Sequence, residues 1–229
     1  GSDAAILDDL AWFGLDWDGE VVYQSQRTDL YQQALDSLTQ QGLTYPCYCS
    51  RKDIQSAASA PHGSTGVYPG TCRHLNSEQQ AAKAQHKSPA IRVRVNAELA
   101  KTCGDFVIRR ADGLFAYQLA VVVDDLAQGI TDVVRGADLA DSTDRQRYLA
   151  SLLAPQSKPI KYHHAPLFLD ASGQRMAKRD GSYSLQSARV NGQTPESLIG
   201  DSLHALGLMP TKQPISARQV LTKLTLDQL

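Results

Sequence analysis

Cys47-Tyr48-Cys49 and, beyond a loop, Tyr68-Pro69-Gly70-Thr71-Cys72-Arg73-His74 place three thiols and two further donors close together in sequence. A structural zinc ion takes four ligands in a tetrahedron, with thiolate sulfur about 2.3 Å from the metal. Cys47, Cys49 and Cys72 are three of the four cysteines in the chain. Their C-x-C…C spacing lets one loop close over a single ion. The fourth ligand is His74, in a C-x-H ending, or the Tyr68 phenol; histidine is the commoner donor. The surrounding stretch is rich in Gly, Pro and Ser and has little apolar side chain to pack, so a metal staple has a folding role to play there.

Two other segments carry charge where ligands bind. Arg135-Gly136-Ala137-Asp138 follows a β-branched run, Ile130 to Val134. In open α/β sheets ligands sit at the carboxyl ends of strands, and an arginine there can hold a carboxylate through two parallel hydrogen bonds. The alternative is a surface arginine paired to Asp138 or Asp132. Gly173 to Gly181 is a glycine-bounded loop carrying Arg175, Lys178 and Arg179. Such a loop suits a polyphosphate, with lysine acting as a compact point charge; it also fits a solvated basic turn. His164-Ala165-Pro166 is placed either to pack on a nucleotide or to serve structure alone.

The elements that must position these groups are readable from periodicity. Asp3 to Gly14 is predicted as a helix burying Ile6, Leu7, Leu10 and Phe13, and Thr28 to Gln41 as a second burying Leu30, Ala34, Leu35 and Leu38. Thr44 to Cys49 is extended. Ser50 to Asp53 forms a capping box with Asp in place of Glu, opening a short helix to about Ser59. A further helix starts at Ser77. Ile91, Val93 and Val95 alternate with Arg92 and Arg94, as in a strand with one wet face. Residues 105 to 117 are expected as a hairpin around Asp112-Gly113, Gln118 to Gln128 as a buried helix, and Ile130 to Val134 as a buried strand. Asp141 or Ser142 caps a helix to Leu153. Thr194-Pro195-Glu196 opens a helix with Pro at its first position, and Ser216 to Gln219 is another capping box. Strand, loop and helix in that order point to a parallel α/β arrangement.

Bulk properties narrow the function. Among 229 residues, 42% are hydrophobic and 21% charged, with a net charge of -1. That is an ordinary globular composition, without a general basic coat, so nucleic-acid contact has to come from local patches. Arg51, Lys52, Arg73, Arg109 and Arg110 are candidates. No apolar run reaches the roughly 20 residues of a membrane span, so no membrane partner is expected. Few, clustered cysteines predict a reducing, cytoplasmic setting. Cys103, outside the cluster, is expected to be a small buried hydrophobe.

Taken together these segments resemble class I aminoacyl-tRNA synthetases of the glutamate type, and within them the short paralogues that modify tRNA(Asp). Gly14 to Arg27 is similar to the segment ahead of the family's zinc insertion. Tyr45 to Arg51, with Tyr68 and Cys72, resembles its zinc-ligand segments. Phe115-Ala116-Tyr117 through Asp124-Asp125 to Arg135-Gly136-Ala137-Asp138 is similar to its amino-acid site. Arg175 to Arg179 stands where the family has its KMSKS loop, with Ala177 and Arg179 replacing the two serines.

The resemblance implies an α/β, Rossmann-type catalytic domain, incomplete at the amino end, with a zinc-binding insertion and a short helical tail. On that basis residues 1–43 belong to the catalytic domain, 44–104 form the zinc insertion or acceptor-like subdomain, 105–185 carry the second half of the catalytic domain, and 186–229 are the tail. It implies ATP-dependent activation of L-glutamate and transfer to the queuosine base in the anticodon of tRNA(Asp). Tyr117 and Arg135 would bind glutamate. Lys178 would contact ATP as the catalytic lysine, with Mg²⁺ on the phosphates. Cys47, Cys49, Tyr68 and Cys72 would hold Zn²⁺.

The family's Arg-x-Ala-Pro-Ser strand and HIGH box do not occur in these residues. The expectation is therefore a truncation, a fragment or one part of a two-chain assembly, inactive or nearly so by itself. Two other functions compete. One is the catalytic region of an ordinary glutamyl-tRNA synthetase; the stretch after Lys178 is too short for that enzyme's anticodon-binding domains. The other is a zinc-stapled binding module without catalysis, which gives no reason for Tyr117, Arg135 and Lys178 to occur in series.

Overall fold

The structure is a computed structural model; it describes residues 2–50, 52–54, 67–167 and 185–223. The chain divides into two compact units. One comprises 1–21, 134–138 and 163–229, and the other 22–133 and 139–162.

The second of these holds the larger core. Helix α2 (Thr28–Gln40), strand β1 (Thr44–Cys47), helix α3 (Ser77–Ala84), strand β2 (Ala90–Val93), helix α4 (Leu99–Thr102), strand β3 (Phe106–Arg109), helix α5 (Tyr117–Ala127) and helix α6 (Thr143–Leu153) follow one another. The three strands form an antiparallel sheet in the order β1-β2-β3. Pro46, which has no N–H to give to a ladder, lies in β1 at the sheet edge, where proline is tolerated. Leu35 and Leu38 of α2, Val93 and Ile108 of the sheet, Leu119 and Val122 of α5 and Leu149 of α6 fill the interior.

One buried carboxylate joins α2 to α5. Asp124 accepts the Tyr31 hydroxyl at 2.8 Å, the Arg27 Nε at 2.7 Å and the Gln24 amide at 3.0 Å. Burial, and then the Asp124 carboxylate beside it, push the Tyr31 phenol up to about 12.

In the other unit α1 (Ser2–Trp12) is held by Arg189 of helix α7 (Leu185–Val190). The Arg189 guanidinium pairs with Asp8 at 2.6 Å and lies 5.2 Å from the Trp12 ring centre. Helix α8 (Pro195–Ala205) starts as expected, with the Thr194 hydroxyl capping Ser197 N–H, and α9 (Ala217–Leu221) carries the Ser216–Gln219 box. In the unit of 22–133 and 139–162 the Ser50–Asp53 box is present too, closed by bonds of 2.6 and 3.2 Å; the helix expected after it lies outside the described residues beyond Ile54. Strands β4 (Asp132–Gly136) and β5 (Lys161–Ala165) pair in a two-stranded sheet.

Several expectations are corrected. Ile6 is exposed; α1 is held by its acidic rim and Trp12 rather than by an Ile6 face. In α2 the buried stripe is Tyr31, Leu35 and Leu38, and Leu30 faces out. The hairpin expected over 105–117 is present in short form: Arg109 bridges Phe115, the Arg110 N–H donates to the Leu114 carbonyl at 2.8 Å and the Ala116 N–H to the Ile108 carbonyl at 2.9 Å. The run Ile130 to Val134 is not a buried strand: Val134 is 49% exposed. Ser142 does begin α6, yet its hydroxyl takes the Gln118 amide at 3.0 Å instead of capping the helix.

Candidate metal centre and ligand-binding residues

Strand β1 delivers Cys47 and, just past its end, Cys49; the turn at 68–75 delivers Tyr68 and Cys72. The three sulfurs lie within 4.8 Å of one another. Cys49 and Cys72 sulfurs are 3.6 Å apart, and the Tyr68 hydroxyl is 3.4 Å from the Cys47 sulfur and 3.7 Å from that of Cys49. Around a tetrahedral zinc, sulfur–sulfur edges of about 3.8 Å and sulfur–oxygen edges of about 3.5 Å follow from the usual bond lengths. The Cys49–Cys72 edge and the two Tyr68 edges fit those figures. The Cys72 N–H donates to the Tyr68 oxygen at 3.0 Å and so fixes its position. His74 is exposed and outside the thiol group.

The electrostatics of the cluster are divided. Burial works most strongly against the Cys47 thiolate, but hydrogen bonding from Tyr68 and the Cys49 backbone and the pull of Arg92 outweigh it and hold this thiol below its ordinary range. Burial, joined by the charges of Cys47 and Cys72, lifts Cys49 to about 11. Burial and then Cys47 push the Tyr68 phenol far up. A divalent cation among these groups reverses that balance, because it stabilises every deprotonated ligand at once.

Two residues that sequence reasoning passed over hold the two ligand arms in place. Asp105, 3% exposed, accepts the Tyr45 hydroxyl at 2.6 Å, the Arg73 guanidinium at 2.5 Å and the Val95 N–H at 2.8 Å. Tyr45 precedes Cys47 by two positions and Arg73 follows Cys72, so one carboxylate ties both arms to the sheet. Gly104 has φ +65°, and a Cβ there would meet the Tyr68 carbonyl oxygen at 2.7 Å. Only glycine combines that backbone with so close an approach. Its place just before a strand was the available signal.

The remaining candidates are distributed as follows. Arg135 lies in β4, and its Nε donates to His164 Nε2 of β5 at 3.4 Å. Gly136 leaves room for the Asp138 carboxylate, which a Cβ would strike at 2.5 Å. Tyr117 is the first residue of α5 and is 47% exposed, its ring open to a ligand. Lys178 and the rest of the Gly173–Gly181 loop lie outside the described residues. Among the basic residues considered for RNA contact, Arg73 is committed to Asp105, and Arg110 pairs with Asp112 at 2.5 Å. Arg109 donates to the Gly113 carbonyl, Lys52 is exposed, and Arg51 is not described. Cys103 is buried in the main core, its thiol against the Leu99 and Gly104 carbonyls, and burial raises its pKa. Among the described residues no helix is long and apolar enough to cross a membrane.

Comparison with known proteins agrees with these motifs. A protein named glutamyl-Q tRNA(Asp) synthetase from Nocardia farcinica is 47% identical over 223 residues, covering 92% of this chain and 71% of its own length. One of the same name from Prochlorococcus marinus is 42% identical over 224 residues, covering 98% of this chain and 72% of its own. The glutamate tRNA ligase of Elizabethkingia meningosepticum, solved with its amino acid, superposes with a TM-score of 0.76 at 20% identity. This chain is covered completely and spans 56% of that one, a likeness that establishes the α/β fold. The family described as tRNA synthetases class I (E and Q), catalytic domain, matches residues 1–226, and the chain belongs to it.

Proposed function

We propose that the protein activates L-glutamate with ATP and transfers it to the queuosine base in the anticodon of tRNA(Asp). The observation that carries this reading is the identity of 42–47% with proteins named for that reaction, across 90% or more of this chain. The chain spans 71–72% of the length of the Nocardia farcinica and Prochlorococcus marinus relatives.

In the first step a glutamate carboxylate oxygen attacks the α-phosphorus of ATP. The bond to the β,γ-pyrophosphate breaks, and glutamyl-adenylate forms. In the second step the acceptor on the tRNA attacks the glutamyl carbonyl and AMP departs. Arg135 is the candidate for the substrate carboxylate that does not react: a guanidinium offers two parallel donors, and His164 fixes its direction. Tyr117 offers an exposed ring and hydroxyl at a helix start. Lys178 is the candidate cation for the ATP phosphates, where charge accumulates as pyrophosphate leaves. Mg²⁺ is expected with those phosphates.

Zn²⁺ is proposed for Cys47, Cys49, Cys72 and Tyr68, supported by the tetrahedral spacing of their donor atoms. All four positions are filled by protein, which is the pattern of a structural rather than a catalytic zinc. Its role is to hold the loop between β1 and α3, within the insertion proposed over 44–104, and reduced thiols suit the cytoplasm.

Glutamate-dependent exchange of pyrophosphate into ATP by the full-length protein tests the first step. Exchange that needs glutamate and is lost in Lys178→Ala is expected; exchange equally fast with aspartate or without an amino acid contradicts the assignment.

A further inference from the structure

Arg92 breaks the pattern of its own strand. Alternation in β2 assigns it to the wet face, opposite Val93. Yet Arg92 is 7% exposed and Val93 is fully buried, with a register shift between Ile91 and Arg92. Val93 enters the main core, whereas Arg92 enters the interior on the side of the thiol cluster.

A buried guanidinium is costly unless an opposite charge meets it. The hydrogen bond that Arg92 makes goes to a neutral group, its Nη1 to the Asp105 carbonyl at 2.6 Å. Its flat face lies on the Tyr68 ring, 3.7 Å from the ring centre. Among the described residues its Nε has no hydrogen-bond partner. The nearby Asp105 carboxylate is already taken by Arg73, Tyr45 and the Val95 N–H. The opposite charge must come from elsewhere, and the group beneath the Tyr68 hydroxyl supplies it. Three thiolates around a divalent ion leave one negative charge in a buried site, and two when the Tyr68 phenol ionises on the metal; the Arg92 cation offsets one of them.

We propose that Arg92 is the charge-balancing and positioning residue of the metal centre: its guanidinium neutralises the excess negative charge of the Cys47, Cys49 and Cys72 thiolates on the ion, and its stack sets the Tyr68 ring so that the hydroxyl faces that ion. The inference rests on the zinc reading above. It gives the metal a second function, since the ion then makes burial of Arg92 in the β1-β2-β3 sheet favourable. Groups that orient metal ligands from outside the coordination sphere commonly change affinity by about 10–100-fold.

The test is a zinc dissociation constant, by competition with a chromophoric chelator, for the full-length protein and its variants, with the Co²⁺ absorption spectrum as a second readout. Arg92→Met is expected to weaken zinc about 10–100-fold and to shift the Co²⁺ ligand-field bands, while the thiolate-to-metal charge-transfer band persists. Arg92→Gln retains a donor for the Asp105 carbonyl but no charge; it is expected to behave likewise and decides the matter if Arg92→Met does not fold. Val93→Ala, one residue away, is expected to lower the thermal midpoint and leave zinc affinity unchanged. A neutral variant that binds zinc within about twofold of the parent, or Val93→Ala weakening zinc as much as the Arg92 variants, overturns the role of Arg92 alone. A parent protein that binds no zinc overturns the metal reading itself.

Discussion

The Tyr45 hydroxyl donates to Asp105 Oδ2 at 2.6 Å, across the sheet and sixty positions along the chain. The other Asp105 oxygen takes Arg73, which follows the ligand Cys72. The proposed metal centre is therefore suspended from a carboxylate outside its own loop. Asp105→Asn retains the shape, removes the charge and leaves Arg73 without its ion pair. A loss of about 3 kcal/mol in unfolding free energy is expected, with weaker zinc retention, read by denaturant titration and metal analysis. Unchanged stability contradicts the suspension.

Gly104 provides a sharper test of how Tyr68 is placed. Gly104→Ala forces an L-residue to φ +65° and drives its Cβ toward the Tyr68 carbonyl. A cost of about 2–3 kcal/mol is expected from strain and overlap together. Gly113→Ala is the control: φ is +87°, but no atom lies within 4 Å of the added Cβ, so only about 1 kcal/mol is expected. Zinc content should fall in the first variant and hold in the second.

Alkaline pH reports the Tyr31–Asp124 bond. Tyr31 is pushed up to about 12, above its ordinary value near 10. The protonated phenol is the favoured form in the folded state, so its contribution is complete below pH 10 and is lost as pH rises towards 12. Stability of the parent should fall more steeply across that window than stability of Tyr31→Phe. The difference in slope is at most about 1.4 kcal/mol per pH unit for one proton. Parallel curves for the two proteins contradict the assignment.

Much of this was legible locally. The Ser50, Thr194 and Ser216 caps, the limits of α2 and α5, and the thiol trio were all written in short-range spacing. Asp105, Asp124 and Tyr31 were not, because their partners are distant in sequence and no period links them. Arg92 imitated the solvent side of an alternating strand, while its burial depends on what the loop at 68–72 brings over it. The β-branched run before Arg135 shows the reverse: composition suited to a core, on a strand whose Val134 is half exposed. Sequence spacing left Tyr68 and His74 open as the fourth donor. The Tyr68 oxygen lies beside the Cys47 and Cys49 sulfurs while His74 is exposed, which favours Tyr68 as the proposed donor.

That contrast makes a direct prediction. Tyr68→Phe deletes the donor oxygen beside Cys47 and is expected to weaken zinc at least tenfold, whereas His74→Ala should retain the parent affinity. Retention in Tyr68→Phe with loss in His74→Ala would transfer the fourth position to the histidine.

Recognition of the substrate carboxylate by Arg135 predicts a change in glutamate binding more than in turnover. Arg135→Lys keeps the charge but loses the two-pronged geometry. The KM for glutamate in pyrophosphate exchange should rise about 10–100-fold, corresponding to the loss of one charge-assisted hydrogen bond, with KM for ATP little changed. An equal rise for both substrates contradicts a dedicated glutamate contact.

The most direct measurement is transfer of labelled glutamate by the full-length protein to two preparations of tRNA(Asp), one containing queuosine and one lacking it, with tRNA(Glu) alongside. Label on the queuosine-containing tRNA(Asp) alone is the predicted result. Label on tRNA(Glu), or equal label on both tRNA(Asp) preparations, contradicts it and points to the 3′ end as acceptor.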